Sequence, residues 1–535
     1  MFMNMFQHQR ADTCDEADAD GYRIVVYRCT HSRCLLARSQ SRLDIKTCRL
    51  VSYEGFTQHF ALTMRRPIEL LVRCVPGLER CVLDELRGLR ITKASPVAPG
   101  AIRARASLRQ LYAANAYLRC ASRVLVPVAS FSALTHRELE RQINDVLPDL
   151  DKYLPIGVPL AIRVRTARNR DGLSHKANIR SHVQELMQRP APTSSPINGS
   201  DGGDSGGGCS SGGDNSGGDC SGGDSSGGES GPRLDITVIG QRVSLFVDSS
   251  GRPLHERTWR SGHPAAAGKS PLKHSVAAGM LMAAGWNDTS SSGSAPRMLL
   301  DPFCGSGTIP IEAAQMMLGL PAHAARSFAL HHWPSFEPSI WASIAGETAE
   351  RTAIAQRRQA SLPPLVIVGT DRDAGVIKVA KENAHRAMVG NAISFSQAVV
   401  SDLQPPGQLE SRGSANKRGL CLTNPPWGRR LMQSGGDARN LYARLGTVLA
   451  ERCPNYALGV LVNDPKLARQ AGIKAGQLLK PRLRMLIGGQ STYFMMADDP
   501  AVAVAHQDNP HVPVHAGSGE GSVSQGTVQP LQSNT

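Results

Sequence analysis

The stretch MLLDPFCGSGTIPIEAAQMML, residues 298–318, decides the fold of this 535-residue chain. MLLD predicts a buried strand, Gly305 and Gly307 a tight turn, and TIPIEAAQMML a helix. Phosphate, dinucleotide and S-adenosylmethionine sites all use such a turn, because it lets backbone come close to a bound cofactor. The stretch has neither GxGxxG spacing nor a P-loop lysine, which disfavours the nucleotide sites.

The same alternation of strand and helix continues downstream. Four further segments each predict one strand: LVIVGTDRD (365–373), ISFSQAVVSDL (393–403), GLCLTNPPWG (419–428) and YALGVLVND (456–464). RLRMLIGG and TYFMMAD then predict a terminal hairpin. Helices between the strands indicate a mostly parallel sheet that binds ligands at the carboxyl ends of its strands. We therefore predict an α/β domain over residues 251–500.

Upstream, residues 65–250 predict a smaller α+β domain of alternating strands and amphipathic helices. Thr135, with Glu138 three residues on, predicts a helix N-cap. A Gly/Ser/Asp segment at 196–232 interrupts this domain and is expected to be flexible, because it cannot bury enough apolar surface to offset chain entropy. RLDITVIGQRVSLFVDSSG (233–251) predicts a hairpin that continues the domain. Residues 1–64 give little periodic signal, and 501–535 are expected to be a disordered tail.

Composition narrows the class of protein. The hydrophobic fraction of 41% excludes global disorder, and no apolar run is long enough to cross a bilayer. The twelve cysteines have no paired CxxC spacing, which argues against a zinc site or a disulfide scaffold and favours a reducing compartment. The net charge is +15, and residues 65–190 and 233–500 each carry +11. Two basic segments favour a polyanionic partner such as nucleic acid, although surface arginine also serves solubility.

Acidic residues follow the next two strands of the α/β domain. Asp371 ends a strand, where a carboxylate can accept both hydroxyls of a ribose. Asp373 is better placed to cap the following helix. Asp402 could contact an adenine amino group or be an ordinary loop residue.

NPPW, residues 424–427, is the sharpest motif, and it follows another buried strand. The side-chain oxygen of Asn424 and the backbone oxygen of Pro425 can accept hydrogen bonds from an exocyclic amine. Pro426 fixes the backbone, and Trp427 offers a face on which an unpaired base can stack. The alternative is a proline pair that only ends a strand.

In this order, DPFCGSGT, GTDRD and NPPWG resemble the S-adenosylmethionine-dependent amino methyltransferases that modify exocyclic nitrogens of bases, with a Rossmann-like class I fold. LLVRCVPGLERCVLDELRGL, SRVLVPVASF and IRVRTAR resemble a ferredoxin-like segment followed by a THUMP domain, as found in RNA-modifying enzymes. The combination is similar to the bacterial large-subunit ribosomal RNA guanine-N2 methyltransferases, and more distantly to tRNA guanine-N2 methyltransferases.

This resemblance implies roles for individual residues. The turn carrying Asp301, Phe303, Gly305 and Gly307 would bind the methionine part of S-adenosylmethionine. Asp371 would bind its ribose and Asp402 its adenine. The target base would be received by Asn424, Pro425, Pro426 and Trp427. His274 stands where the family usually has an acidic residue, so no cofactor contact is assigned to it.

The resulting hypothesis is a guanine-N2 methyltransferase of ribosomal RNA that transfers methyl directly, without a metal. Candidate phosphate contacts are Arg163, Arg165, Arg168, Lys176 and Arg429, each of which could equally be a solvated surface residue. The alternatives are a tRNA guanine-N2 or adenine-N6 methyltransferase, because NPPW cannot separate two exocyclic amines, and an inactive RNA-binding protein. The second methyltransferase domain of the bacterial enzymes is not matched, so a second activity is not expected. A cytoplasmic and an organellar location both fit.

Overall fold

The computed structural model describes most of the chain between residues 67 and 497, together with two strands near the N-terminus. The described ranges are 23–29, 32–38, 67–155, 158–167, 173–187, 231–260, 272–286, 298–324, 326–361, 367–403, 419–426 and 438–497. Trp427, Arg168 and Arg429 lie outside them, as do the predicted tail and nearly all of the Gly/Ser/Asp segment. The two N-terminal strands, β1 (Arg23–Cys29) and β2 (Ser32–Arg38), pair antiparallel.

The first large sheet has seven strands in the order β4-β5-β3-β6-β9-β8-β7. Its strands are β3 (Ile68–Cys74), β4 (Ala94–Ala98), β5 (Ala101–Ala106), β6 (Ala121–Ser132), β7 (Ala161–Ala167), β8 (Arg233–Ile239) and β9 (Arg242–Asp248). The predicted hairpin is β8–β9, and its pairing with β6 joins it to the preceding strands. β4 was not predicted. It contains Pro96 and lies at the edge of the sheet, where a strand needs fewer backbone donors.

One face of this sheet carries the apolar core, including Leu70, Val72 and Ile102. The helices of this part are α1 (Glu79–Gly88), α2 (Leu108–Tyr117), α3 (His136–Leu150) and α4 (Lys176–Met187). Helix α3 begins as predicted, because the Thr135 hydroxyl accepts a hydrogen bond from the Glu138 amide at 3.2 Å.

The second large sheet has the order β12-β11-β10-β13-β14-β16-β15. Its strands are β10 (Met298–Asp301), β11 (Ile367–Asp371), β12 (Ile393–Gln397), β13 (Gly419–Thr423), β14 (Tyr456–Val462), β15 (Leu479–Ile487) and β16 (Gln490–Ala497). The first five are parallel, and β15 and β16 form the predicted antiparallel hairpin. This confirms the predicted Rossmann-like α/β class.

The helices of this part are α5 (His274–Ala283), α6 (Thr308–Leu318), α7 (Pro338–Ser361), α8 (Ala374–Arg386), α9 (Ala438–Arg452) and α10 (Pro465–Lys474). The 24-residue helix α7 was not predicted. Its central turns are alanine-rich rather than marked by a stripe of large apolar residues, so its sequence gives a weak periodic signal. Among the described residues, no helix combines the length and the hydropathy that crossing a membrane requires.

Helix α7 joins the two sheets. The Tyr112 hydroxyl in α2 accepts a hydrogen bond from the Glu337 amide at 3.0 Å, just before α7 begins. The hydroxyls of Tyr117 and Thr348 lie 3.1 Å apart, and Arg109 of α2 forms an ion pair with Glu347. These contacts fix α2 of the first part against α7 of the second.

A second junction is a buried ionic network in which Glu312 of α6 contacts two arginines. Glu312 accepts hydrogen bonds from Arg257 Nε at 2.8 Å and from Arg119 Nη1 at 3.2 Å. Arg257 and Glu312 are fully buried, and Arg119 is 9% exposed. Arg119 also donates to the carbonyl of Leu320. The network therefore ties the loop after α2 to the helix that follows the glycine turn.

Candidate active site

The candidate site lies where the strand order of the second sheet reverses. β10 has β11 on one side and β13 on the other, and all three strands are parallel. Open α/β sheets bind ligands at such a point, in the crevice outside the carboxyl ends of the strands. Asp301, Asp371 and Thr423 end these three strands. The glycine turn (residues 301–307) is termed the cofactor turn, after the role that the sequence predicts for it. This turn and Asn424 thus emerge from adjacent strands at the carboxyl ends of the parallel strands.

The cofactor turn has the tight backbone that its glycines predict. Gly305 and Gly307 have φ values of +52° and +85°, in the region that side chains other than glycine rarely adopt. A Cβ added at Gly307 would lie 3.0 Å from the ring of Phe395, whereas one added at Gly305 would meet nothing within 4 Å. Gly307 thus serves close packing, and Gly305 lies beside open space that a ligand can occupy.

Asp371 holds the cofactor turn from the neighbouring strand. Its Oδ2 accepts a hydrogen bond from the Gly305 amide at 3.1 Å, and its Oδ1 accepts one from the Asp373 amide at 3.1 Å. The carboxylate of Asp373 caps α8 by accepting from the amides of Gly375 and Val376, which confirms the predicted cap. The two neighbouring acids therefore have different roles, and Asp371 is the one that touches the turn.

Asp301 is buried at the end of β10, with 1% of its surface exposed. Its Oδ1 accepts a hydrogen bond from the Thr423 hydroxyl at 2.6 Å and another from the Phe303 amide at 3.2 Å. Burial raises the pKa of Asp301 to about 7, and nearby Asp371 adds to this shift, while the two hydrogen bonds oppose it. Thr423 was not predicted from the sequence, because nothing in the local pattern indicates its partner.

The remaining predicted site residues lie after β13, in the cofactor turn and after β12. Asn424 and Pro426 are half-buried, and Pro425 is buried, directly after β13. Phe303 packs partly buried against the apolar cluster that includes Leu300. Asp402 is exposed, at the end of a short 3₁₀ turn that follows β12.

Arg260 contacts the end of the cofactor turn and the start of α6. Its Nη2 donates to the Ser306 hydroxyl at 3.0 Å, and its Nη1 lies 3.4 Å from the Thr308 hydroxyl at the start of α6. Burial lowers the pKa of Arg260 to about 10, so it remains charged at neutral pH. Sequence reasoning missed this residue, because it lies 46 positions from Ser306.

Two cysteines lie near the site, and both are buried free thiols. Burial raises the pKa of Cys304 and of Cys421 well above the usual thiol value, and the charge of Asp301 adds to each shift. Neither sulfur is therefore a thiolate at neutral pH, which supports packing roles rather than nucleophilic ones.

His274 opens α5 and is buried. Its Nδ1 lies 2.6 Å from the His255 carbonyl, and its ring packs edge-on against Trp259 with centroids 4.7 Å apart. Burial lowers the pKa of His274 to about 3, so the ring is neutral and Nδ1 donates the hydrogen bond. His274 is thus a packed, uncharged donor.

The predicted phosphate contacts differ in their surroundings. Lys176 is exposed at the start of α4. Arg163 and Arg165 alternate along β7 with buried Ile162 and Val164, on the face opposite the core. That face is not uniformly basic.

The guanidinium of Arg165 lies 3.5 Å from the buried carboxylate of Asp235 on β8. Burial lowers the pKa of Arg165, and Arg73 and Arg123 lower it further, while Asp235 opposes the shift. Part of the charge that the sequence offers to RNA is therefore engaged within the sheet. Within the described part of the chain, no group of three or more His, Cys, Asp or Glu side chains could hold a metal ion.

Comparison with known families gives two matches. Residues 258–477 match the model described as RMKL-like, methyltransferase domain, and residues 69–125 match the RlmL ferredoxin-like domain. Two curated relatives are named ribosomal RNA large subunit methyltransferase K/L. The protein from Syntrophotalea carbinolica is 29% identical over 78% of this chain and 52% of its own length, and that from Marinobacter nauticus is 28% identical over 76% and 49%. The chain thus spans about half the length of these relatives.

Solved structures with the same fold include one described as a possible methylase from Clostridium difficile 630, with a TM-score of 0.60 and 21% identity over 81% of this chain and 99% of that one. Another is described as a predicted N6-adenine-specific DNA methylase from Listeria monocytogenes, with a TM-score of 0.60 and 23% identity over 82% and 98%. A third, described as a putative methyltransferase complexed with SAH, has a TM-score of 0.58 and 22% identity over 81% and 98%. At these identities the likeness shows a shared fold.

Proposed function

We propose that this chain belongs to the RMKL-like methyltransferases and carries their RlmL ferredoxin-like domain. On this basis it methylates the exocyclic N2 of a guanosine in ribosomal RNA. The methyl donor is S-adenosylmethionine. The carrying observation is that the cofactor turn and Asn424 emerge from adjacent parallel strands at the point where the strand order reverses. The names of the relatives support ribosomal RNA as the substrate.

The described residues fit the cofactor. Gly305 lies beside open space, and its amide is held by Asp371. We assign the methionine part to the turn carrying Asp301, Phe303, Gly305 and Gly307, the ribose to Asp371, and the adenine to Asp402. When bound, S-adenosylmethionine supplies a methyl group on a positively charged sulfur. The family match and the neighbour complexed with SAH support this choice.

The chain's own contribution is to orient the acceptor. The side-chain oxygen of Asn424 and the carbonyl oxygen of Pro425 accept hydrogen bonds from the target amine, which aims the nitrogen lone pair at the methyl group. Pro426 restricts the backbone, and Trp427 stacks on the base. Orientation of this kind lowers the barrier without a covalent enzyme intermediate. The raised thiol pKa values of Cys304 and Cys421 agree with direct transfer.

RNA is held by basic residues of the N-terminal part, which we assign to ferredoxin-like and THUMP regions within residues 65–250. Lys176 is exposed and suited to a phosphate, and Arg163 lies on the same sheet face as Arg165. Arg165 is partly exposed while it pairs with Asp235, so it offers a phosphate only part of its charge. Arg168 and Arg429 are proposed from sequence alone. The buried free cysteines between residues 74 and 453 suit a reducing compartment.

The test is incorporation of labelled methyl from S-adenosylmethionine into RNA by the full chain and by Asn424→Ala. We expect incorporation by the wild type and a loss of at least about 100-fold in the variant, because the amine loses one of its two acceptors. Asn455→Ala is the matched control. It replaces an exposed asparagine just before β14, at the amino ends of the parallel strands rather than at their carboxyl ends, and should keep full activity.

Incorporation that is unchanged in Asn424→Ala would show that the proposed acceptor site is wrong. Calorimetry separates the remaining alternative. An inactive RNA-binding protein predicts no binding of S-adenosylmethionine, whereas the proposed enzyme binds it even when Asn424 is replaced.

A further inference from the structure

The crevice opens where β10 and β13 stop pairing. Their backbone ladder runs from Met298 opposite Gly419 to Leu300 opposite Cys421, and ends there. Beyond this point each strand pairs only with its other neighbour. β10 continues with β11 through Asp301, and β13 continues with β14 through Thr423. The distance between the two strand ends is therefore not set by backbone hydrogen bonds between them.

A side-chain hydrogen bond spans the opening instead. The Thr423 hydroxyl donates to Asp301 Oδ1 at 2.6 Å, and both residues are almost completely buried. The same carboxylate oxygen accepts from the Phe303 amide at 3.2 Å. One oxygen atom thus joins the end of β13 to the first residues of the cofactor turn.

The position of Thr423 in the chain gives this bond its significance. Thr423 directly precedes Asn424, and Asp301 directly precedes the residues that bend into the turn. We propose that Thr423 is a positioning residue for methyl transfer, whose hydroxyl acts through Asp301 to set the separation between the acceptor residues Asn424–Pro426 and the cofactor turn. This inference rests on the proposed function of the site.

The expected effect follows from the demands of an in-line transfer, in which a misplacement of about 1 Å can reduce the rate about 100-fold. Thr423→Val keeps the shape of the side chain but removes the donor. We expect its kcat for RNA methylation to fall at least about tenfold. The KM for RNA should stay within about threefold of wild type, because the residues proposed to hold RNA are intact. The cofactor Kd should rise modestly, because the lost hydroxyl no longer lowers the pKa of Asp301, which lies in the turn proposed to hold the methionine part.

Two variants distinguish positioning from packing. Thr423→Ser retains the hydroxyl and loses a methyl group, so it should restore kcat to within about threefold of wild type. Thr492→Val is the matched control for burying valine in place of threonine. Thr492 is fully buried on β16, and its hydroxyl lies 3.3 Å from the Gln490 carbonyl, near the far edge of the sheet. Its kcat should be unchanged.

Thr423→Ala, which needs no extra space, replaces Thr423→Val if the valine variant does not fold. The proposal is overturned if the variant without a donor keeps wild-type kcat, if Thr423→Ser loses as much as Thr423→Val, or if the loss lies in cofactor Kd alone. An inactive wild-type chain would instead refute the proposed function. An active wild type with an equally active Thr423→Val would refute only the positioning role.

Discussion

Replacing Glu312 with glutamine tests the buried ionic network that joins the two parts of the chain. Glu312 lies between Arg257 and Arg119, with hydrogen bonds of 2.8 and 3.2 Å, and its carboxylate is fully buried. Burial by itself raises the pKa of Glu312, but Arg257 and Arg119 lower it by more, so its pKa lies below the ordinary value. The carboxylate is therefore ionised at neutral pH and compensates two buried guanidinium groups.

Glu312→Gln removes that compensation while keeping the size of the side chain. Breaking a buried ion pair by neutralising one partner costs about 3–5 kcal/mol, because the opposite charge stays buried without compensation. A domain of this size shifts its unfolding midpoint by roughly 2–4 °C per kcal/mol, which gives a fall of roughly 6–20 °C. The assay is thermal unfolding followed by circular dichroism at pH 7.5.

Glu347→Gln is the control, because it also breaks an ion pair between the two parts. The Arg109 and Glu347 side chains are 31% and 33% exposed, so water screens their attraction. We expect a cost below about 1 kcal/mol for this pair. The reasoning is refuted if Glu312→Gln destabilises the chain no more than Glu347→Gln does. The contribution of Glu312 to the free energy of unfolding should also decrease at low pH. Because the folded pKa of Glu312 is depressed, its contribution is present above the unfolded pKa and is lost as the pH falls through the folded value.

Two further predictions follow from the described residues. Burial raises the pKa of Glu85 to about 7 against two backbone hydrogen bonds, so the folded state binds this proton more tightly than the unfolded state. Its contribution is present below the unfolded pKa and is lost as the pH rises to about 7. The free energy of unfolding of the wild type, measured with urea, should therefore rise by up to roughly 3 kcal/mol relative to that of Glu85→Gln as the pH falls from 8 to 5. The same pH dependence of unfolding in both proteins would contradict this. Gly307→Ala, which meets Phe395, should lower stability by about 1–3 kcal/mol, whereas Gly305→Ala should cost only about 1 kcal/mol yet weaken cofactor binding in calorimetry. If Gly307→Ala weakened cofactor binding and Gly305→Ala did not, the open space beside Gly305 would not be the cofactor site.

The sequence predicted the parts of the site that depend on local chain geometry. The cofactor turn, the carboxylate of Asp371 and the helix cap at Asp373 follow from strand, turn and helix signals within a few residues. The class of fold, the methyltransferase resemblance and the ferredoxin-like segment are confirmed by the domain matches, whereas the THUMP domain stays a prediction. The roles of individual site residues stay predictions, as do the domain limits.

The parts that were missed are contacts between residues far apart in the chain. Thr423 meets Asp301 across 122 positions, and Arg260 meets Ser306 across 46. Arg165 forms an ion pair with Asp235 because β7 and β8, which are far apart in the chain, pair in parallel. Helix α7 was missed for another reason, since its alanine-rich turns lack a strong apolar stripe. Single-sequence patterns report local backbone preferences, and none of these partners is local.

The central claim is tested most directly by the chemical identity of the methylated nucleoside. Purified full chain is incubated with unmethylated total RNA and labelled S-adenosylmethionine, the RNA is separated by size, and each fraction is digested to nucleosides. We expect label in N2-methylguanosine from large-subunit ribosomal RNA, and its loss with Asn424→Ala. Label in N6-methyladenosine, or label confined to tRNA, would contradict it.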